Sequence, residues 1–252
     1  MSERRILITG ASSGIGEALA VHYAERHGVG LTLGLVARRS ERLEALAARL
    51  APLGARVLPY GADVREREAM AQVARDFLAA AGGVDVAIAN AGIGGSDRLR
   101  HGDAAAAGDI VNANVLGVIH TLVPLIPAMM EQRAGHLVSV GSIAGFVSIP
   151  GKGAYCASKA AVKVLMDAWR GQLRRQGIRV TTVCPGWVVS ELTAQNPYPM
   201  PFMLDTPRAA RLIVRAIERG RATYVLPWQM RLLVPLLRAM PPRVFATFGG
   251  RG

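Results

Sequence analysis

Short apolar runs alternate with longer segments of helical periodicity along most of this chain, and this alternation constrains the fold most strongly. Parallel strands need a crossover connection, usually a helix, so the alternation predicts a parallel sheet with helices on both faces. The runs predicted as strands are 6–8, 31–37, 56–60, 84–89, 136–140, 178–183 and 223–226. The segments predicted as helices are 14–27, 41–50, 65–81, 104–130, 154–176, 207–219 and 229–240. The expected fold class is α/β, doubly wound, with about seven parallel strands.

The length and the apolar content fit a single domain. The chain has 252 residues, of which 51% are hydrophobic and 19% are charged. This apolar fraction excludes a disordered chain, because burial of the apolar side chains offsets the loss of chain entropy. The sequence contains no internal repeat and no linker, so we expect one domain over 1–252.

The chain is strongly basic. Its 30 basic and 18 acidic residues give a formal net charge of +12 at pH 7. The arginines are scattered, and the sequence shows no helix-turn-helix, zinc or aromatic-platform pattern, so we expect no nucleic-acid binding. Attraction of an anionic substrate or cofactor remains open.

Cysteine and histidine usage bears on compartment and metal binding. Cys156 and Cys184 are too few for a disulfide framework or a four-thiolate site, and the histidines lack metal-ligand spacing. We therefore expect no metal and a reducing, cytoplasmic location. The N-terminal apolar run is too short for a secretory signal, and no stretch apolar and long enough to span a membrane is expected.

A glycine-rich turn follows the first predicted strand and opens the first helix. Its candidate cofactor-binding residues are Gly10, Ser12, Ser13, Gly14, Ile15 and Gly16. Glycines let backbone amides approach a pyrophosphate, and the helix N-terminus adds positive potential. The strand–turn–helix context favours a dinucleotide over a turn without a ligand.

The end of the second strand bears on which dinucleotide binds. A carboxylate there would bind the ribose hydroxyls and repel a 2′-phosphate, whereas this chain has Arg38 and Arg39. Guanidinium groups suit a phosphate, so we expect NADP(H) rather than NAD(H), with Arg38 as the first candidate.

A tyrosine and a lysine lie one helical turn apart, at Tyr155 and Lys159. An ammonium group near a phenol favours the phenolate and is expected to lower the pKa of Tyr155 towards neutrality. Ser142 follows the strand before this helix, and its hydroxyl is placed to hold a substrate carbonyl beside the phenol.

Together these motifs resemble the short-chain dehydrogenase/reductase family over about residues 5–190, and the resemblance implies a Rossmann fold. The matching residues are Thr9 to Gly16, Asp63, Val64, Asn90, Ala91, Gly92, Asn114, Ser142, Tyr155, Lys159, Pro185 and Gly186. The resemblance implies that Tyr155 is the general acid/base, that Ser142 polarises the carbonyl, and that Lys159 tunes Tyr155 and holds the nicotinamide ribose. It also implies a relay water at Asn114.

The same resemblance implies further cofactor contacts. Asp63 would meet the adenine amino group with Val64 beside the ring, and Asn90 would fix the central sheet and the cofactor. The implied cofactor site is completed by Ala91, Gly92, Tyr155, Lys159, Pro185, Gly186, Val188 and Ser190, with Ser190 at the carboxamide.

The implied activity is NADPH-dependent reduction of a ketone or aldehyde, or oxidation of a secondary alcohol in reverse. An irregular segment over about 187–206, rich in Pro, Met and aromatic residues, is expected to form a substrate lid. The candidate substrate residues are Ser142, Phe146, Tyr155, Trp187, Leu192, Tyr198 and Phe202, whose mostly apolar character favours an apolar carbonyl compound. The alternatives are a 3-ketoacyl-carrier-protein reductase and a non-catalytic NADPH-binding sensor or interaction protein.

The C-terminal extension over about 228–252 departs from the family's common glycine-rich ending. That departure puts the usual tetramer in doubt, although a homodimer or homotetramer is expected. For the apolar helix over 229–240 we expect packing on the core or the substrate lobe first, a dimer contact second and a membrane-surface contact third.

Overall fold

The computed structural model describes residues 3–97, 99–194 and 199–239. Seven strands form one sheet in the order β3-β2-β1-β4-β5-β6-β7, and every neighbouring pair is parallel. The strands are β1 Arg4–Thr9, β2 Leu31–Ala37, β3 Arg56–Gly61, β4 Val86–Ala89, β5 Gly135–Val140, β6 Ile178–Pro185 and β7 Thr223–Leu226. The predicted fold class is confirmed.

Helices cover both faces of the sheet, as the alternation predicts. They are α1 Gly14–His27, α2 Ser40–Leu50, α3 Arg67–Ala81, α4 Ala104–Val111, α5 Gly117–Leu122, α6 Ile126–Glu131, α7 Gly153–Leu173, α8 Glu191–Ala194, α9 Thr206–Glu218 and α10 Trp228–Ala239. A π-helical turn, Asn112–Leu116, joins α4 to α5 and was not expected from the sequence. Helix α3 starts two residues later than predicted because the Asp63 carboxylate accepts the Arg65 amide and holds a turn there.

Two apolar clusters fill the space between the sheet and its helices. One packs α1, α2 and α9 against one face, with Leu19 and Ile213 fully buried. The other packs α3, α5, α6 and α7 against the opposite face, with Phe77 and Met166 fully buried. This double layer fixes the C-terminal ends of β1, β4, β5 and β6 along one edge, where a crevice for ligands is expected in such folds.

Among the described residues, one helical region is long and apolar enough to span a membrane, contrary to the expectation from the sequence. It is Ala104–Glu131, with a mean hydropathy of 1.6 in its most apolar 18-residue window. Nearly half of that window, 44%, is buried. Its parts contact α3, α7 and β4, so this helical region packs on one face of the sheet.

The helix that begins the C-terminal extension has two apolar faces. On α10, Met230 and Val234 are buried, which matches the expected packing against the core. Trp228, Leu232 and Leu236, at helical spacing, are each more than 60% exposed, so that packing accounts for one face only. Residues 240–252 lie outside the described part of the chain.

Candidate active site

The glycine turn is held against the neighbouring strand end by close backbone approach. Gly10 has φ +68°, and a Cβ there would lie 2.8 Å from the Cα of Ala91. A Cβ at Gly16 would collide with the Gly10 carbonyl. These positions need glycine because any side chain would force the turn away from β4.

The turn leaves the start of α1 open towards the crevice. Ser13 is the N-cap residue of α1 and makes no side-chain capping hydrogen bond. Gly14 has φ +58°, and a Cβ there would point at the Ser190 side chain, 3.4 Å away across the crevice. An uncapped helix N-terminus has backbone N–H groups and positive potential to offer an anion.

Asn90 braces this turn at the end of β4. Its amide nitrogen donates to the carbonyl oxygens of Thr9, at 3.0 Å, and Gly10, at 3.3 Å. The Thr9 hydroxyl in turn accepts the backbone amides of Asn90 and Ala91. These contacts tie the end of β4 to the end of β1 and its glycine turn, and a role of Asn90 in holding the cofactor stays a prediction.

The side chains of Ser142, Tyr155 and Lys159 lie together where β5 ends and α7 begins. The Lys159 side chain is buried, and its Nζ donates to the Val140 carbonyl at 3.1 Å and lies 5.8 Å from the Tyr155 ring centroid. Burial lowers the pKa of Lys159 to about 8. Burial also raises the pKa of Tyr155, while its hydrogen bond with Ser142 opposes that rise.

The direction at Tyr155 corrects the expectation from the sequence. A neighbouring ammonium group was expected to lower the pKa of this phenol. The largest effect is instead the loss of water around the hydroxyl, which raises the pKa against the hydrogen bond with Ser142. The phenol is therefore protonated at neutral pH and is suited to donate a proton.

Asn114 lies inside the π-helical turn, fully buried. Its amide exchanges hydrogen bonds with the backbone of Ile93, at 2.8 and 3.0 Å, and donates to the Ser158 hydroxyl at 3.0 Å. A Cβ at Gly92 would lie 2.9 Å from Asn114 Oδ1 and 3.4 Å from Lys159 Nζ, so both side chains converge on Gly92. π-Turns within helices often mark functional sites.

Arg39, rather than Arg38, lies against the glycine turn. The Arg39 guanidinium donates to the Ser12 hydroxyl at 3.1 and 3.3 Å and to the Ser13 hydroxyl at 2.9 Å. The Arg38 side chain is 66% exposed, and among the described residues its ion-pair partner is Asp63, at 4.0 Å. Because β2 ends at Ala37, the second residue beyond it turns towards Ser12 and Ser13, and the geometry adds Arg39 as a phosphate-binding candidate. The preference for Arg38 as the first candidate stays a prediction.

Asp63 and Val64 are less available to an adenine ring than expected. Both oxygens of Asp63 accept from the Arg65 side chain, at 2.8 to 3.2 Å, and hydrogen bonding to Arg65 lowers the pKa of Asp63. Val64 is 9% exposed and packs against the helix at Gly117.

The segment after β6 lies over the crevice. Pro185 ends β6, and Gly186 donates its amide to the Leu226 carbonyl. Val188 is buried in the core rather than open to a cofactor, while Ser190 bonds locally to Thr193.

The apolar substrate candidates differ in exposure. Leu192 and Phe202 are about half exposed, at 49% and 53%, whereas Trp187 and Phe146 are partly buried. Lys163 Nζ lies 5.8 Å from the Phe146 ring centroid. Tyr198 lies outside the described residues.

Three charged residues at the site were missed in the sequence. Glu191 and Arg42 form an ion pair at 2.7 Å beside Arg39, and the Asp97 carboxylate accepts the first backbone amides of α7. The one available signal for Glu191 was its position directly after Ser190, the last cofactor contact that the resemblance implies.

The residues at the turn fit a dinucleotide. The open start of α1, the hydroxyls of Ser12 and Ser13 and the guanidinium of Arg39 supply donors and positive charge for phosphate groups. Lys159 and Tyr155 lie across the crevice from this turn, towards the ends of β4 and β5. A cofactor bound over the turn would place its reactive end beside them.

Comparison with known proteins agrees with this geometry. The family model described as short chain dehydrogenase matches residues 4–199. An uncharacterised oxidoreductase of Myxococcus xanthus is 40% identical over 245 residues, covering 97% of this chain and 96% of that protein.

Solved structures share the fold over most of the chain. A short chain dehydrogenase/reductase from Burkholderia phymatum in complex with NAD matches with a TM-score of 0.84 and 26% identity, covering 93% of this chain and 92% of that chain. A 3-ketoacyl-ACP reductase from Sinorhizobium meliloti matches with a TM-score of 0.80 and 28% identity, covering 90% and 99%.

Proposed function

The chain belongs to the short-chain dehydrogenase/reductase family, and from this premise we propose that it reduces an apolar ketone or aldehyde with NADPH. Members of this family are oxidoreductases that bind a nicotinamide cofactor and act on CH–OH or C=O groups. The observation that carries the proposal is that buried Lys159 and Asn114 converge on Gly92, across the crevice from the open glycine turn. The Tyr155 ring centroid lies 5.8 Å from Lys159 Nζ at the same place.

Tyr155 is the proton donor in this proposal. Burial keeps its hydroxyl protonated at neutral pH, and Ser142 lies within hydrogen-bonding reach of the same hydroxyl. A carbonyl oxygen between the two hydroxyls receives a hydrogen bond from Ser142 and the proton of Tyr155 as negative charge develops. NADPH, when bound, supplies the hydride for the carbonyl carbon.

Lys159 supplies positive charge behind Tyr155. The pKa of this buried ammonium is about 8, so the group is charged at neutral pH and stabilises negative charge that develops at the phenol. Asn114 holds the π-helical turn against Ile93 and Ser158, and thereby fixes the wall of the crevice beside Lys159.

The choice of NADPH rests on Arg39 and Arg42. Both guanidinium groups face the glycine turn or the anion beside it, and no acidic residue ends β2. This arrangement supports a cofactor with a 2′-phosphate.

The protein is also proposed to be cytoplasmic and to act as a homodimer or homotetramer. Buried, unpaired Cys156 and Cys184 fit a reducing compartment. Exposed apolar side chains on α4 to α7, such as Val123 at 41% and Val164 at 67%, offer a helical face for a second copy.

A cofactor and substrate panel tests the proposal. Absorbance of NADPH or NADH is followed with aryl ketones, fatty ketones, an acetoacetyl thioester and a ketose. Turnover with NADPH and the apolar ketones is expected, and turnover of the thioester alone would favour the carrier-protein reductase. Binding of NADPH without turnover of any of these substrates would point to the sensor or interaction protein and would contradict the proposed activity.

A further inference from the structure

The carboxylate of Glu191 reaches across the crevice to the glycine turn. It accepts from Arg39 at 3.0 and 3.1 Å, from Arg42 at 2.7 Å and from the Ser13 hydroxyl at 3.2 Å. The carboxylate belongs to the segment after β6. Its partners lie on the turn after β1 (Ser13) and where β2 leads into α2, with Arg39 in the connection and Arg42 in the first turn of α2. Three separate parts of the chain therefore meet at one anion.

The donors around Glu191 are also the donors expected to hold a cofactor phosphate. Arg39 divides its guanidinium between this carboxylate and the hydroxyls of Ser12 and Ser13. A carboxylate and a phosphate both accept two parallel N–H bonds from a guanidinium group. A 2′-phosphate and the Glu191 carboxylate consequently need the same partners.

The Glu191 side chain is always ionised, and its exposed position lets it leave its arginine partners. Hydrogen bonds from Arg39 and Arg42 lower its pKa to about 2, so it is ionised throughout the physiological range. Its side chain is 56% exposed and lies on the short helix α8, so it can swing into water without disturbing the core. Exposed ion pairs of this kind contribute little individually, which makes exchange for a phosphate feasible.

We propose that Glu191 sets cofactor specificity by competing with the 2′-phosphate of NADPH for Arg39 and Arg42. The inference rests on the proposed dinucleotide site. It adds Glu191, which follows β6, to the residues at the end of β2 that determine which cofactor binds. NADPH must displace the carboxylate, whereas NADH has a hydroxyl at that position and leaves the ion pairs in place. Glu191 thus makes the ratio of NADPH affinity to NADH affinity smaller than Arg39 and Arg42 alone would give.

The test is the variant Glu191→Gln, examined by binding rather than by turnover. Dissociation constants are measured for NADPH and NADH by fluorescence titration, and for adenosine 2′,5′-bisphosphate and 5′-AMP by calorimetry. We expect NADPH and the bisphosphate to bind roughly three- to tenfold tighter, since a competing charge is lost. NADH and 5′-AMP are expected to change by less than about twofold, because neither carries the 2′-phosphate.

A matched control removes a negative charge of the same kind elsewhere. Glu218 pairs with Arg26 at 3.1 Å at the far end of α1, and Glu218→Gln is expected to change none of the four constants. In an Arg39→Ala background, Glu191→Gln is expected to improve NADPH binding less, because the carboxylate then has one competing guanidinium fewer.

Two results would overturn the inference. An unchanged NADPH-to-NADH ratio in Glu191→Gln would show that the carboxylate does not compete. Weaker binding of all four ligands would show that Glu191 closes over the cofactor instead. The wild-type ratio separately tests the proposed cofactor, because a preference for NADH would contradict that proposal while the variant still reports on Glu191.

Discussion

The Asp97 carboxylate holds the first turn of the helix that carries the candidate proton donor, with Oδ1 accepting the Ala154 amide at 2.9 Å. Oδ2 accepts the neighbouring Gly153 amide, and the Asp97 amide donates to the Gly151 carbonyl at 3.0 Å. Asp97 is only 8% exposed and lies in the loop after β4. Because α7 begins at Gly153, this loop fixes the position of Tyr155 two residues later.

Asp97→Ala is expected to lower both stability and kcat. Two charge-assisted bonds to a helix start are lost, which costs about 1–3 kcal/mol in the free energy of unfolding. Loss of the helix position lowers kcat by about tenfold. Asp103→Ala removes a similar cap at the start of α4 and is expected to lower stability without that loss of kcat. Equal kcat losses in the two variants would contradict a positioning role for Asp97.

Tyr155→Phe is expected to abolish proton donation while leaving cofactor binding intact. Removal of a positioned general acid lowers kcat by about 100- to 10,000-fold. The ring is retained, so the dissociation constant for NADPH, measured by fluorescence titration, changes by no more than roughly twofold. Wild-type turnover in this variant would remove Tyr155 from the mechanism.

The strands, the helices and the glycine turn could be predicted from the sequence because they depend on local patterns. The period of apolar residues marked every strand of the sheet, and the bounds differed by a few residues where a side chain held a turn, as Asp63 does before α3. The π-helical turn around Asn114 has no such pattern and was missed.

What the sequence did not reveal depends on contacts between distant residues. Arg39 and Glu191 are 152 positions apart, and Asp97 and Ala154 are 57 apart. The direction of the pKa shift at Tyr155 was wrong for the same reason, because the extent of burial comes from tertiary packing. The four-residue spacing on α7 indicates that Lys159 is a neighbour of Tyr155, but it gives no information on the burial of the phenol.

Lys159→Met is expected to stabilise the fold while disabling the site. Burial lowers the pKa of Lys159 to about 8, so keeping the ammonium charged costs the folded state free energy at pH 7. The variant is expected to be more stable by about 1–3 kcal/mol at pH 7 in urea unfolding. That advantage shrinks as pH rises from about 8 to the ordinary lysine value of 10.5, where the amine is neutral in both states.

Lys163→Met on the same helix is the control for this change. Lys163 pairs with Asp167 at 2.7 Å and is 28% exposed, so its removal is expected to give no gain in stability. A loss of stability in Lys159→Met at pH 7 would contradict the cost assigned to the buried charge.

Arg39→Ala is expected to weaken NADPH binding much more than Arg38→Ala. Arg39 contacts the turn through Ser12 and Ser13, whereas Arg38 is mainly exposed. We expect roughly tenfold weaker binding for the first variant and less than about threefold for the second. Fluorescence titrations at low and high salt measure the NADPH dissociation constant of each variant. A larger effect of Arg38→Ala would show that Arg38 is the main phosphate ligand.

His136 is expected to make the fold sensitive to acid. Its side chain is fully buried on β5, Nε2 lies 2.7 Å from the Thr181 hydroxyl, and Nδ1 has no hydrogen-bond partner among the described residues. Burial, with a smaller effect from Arg179, lowers the pKa of His136 to about 3 from 6.5. Between pH 3 and pH 6.5, His136 therefore binds a proton in the unfolded chain but stays neutral in the folded protein. Stability present above pH 6.5 is lost progressively as pH falls towards 3.

His136→Gln is expected to flatten this pH dependence. Between pH 6.5 and pH 4.5, the wild type should lose on the order of 1–3 kcal/mol more than the variant in urea unfolding. His101→Gln, at an exposed position, is expected to follow the wild-type curve. If the free energy of unfolding falls with pH in parallel for the wild type and His136→Gln, the buried imidazole is not the group that responds to acid. This comparison does not depend on the stability of either protein at neutral pH.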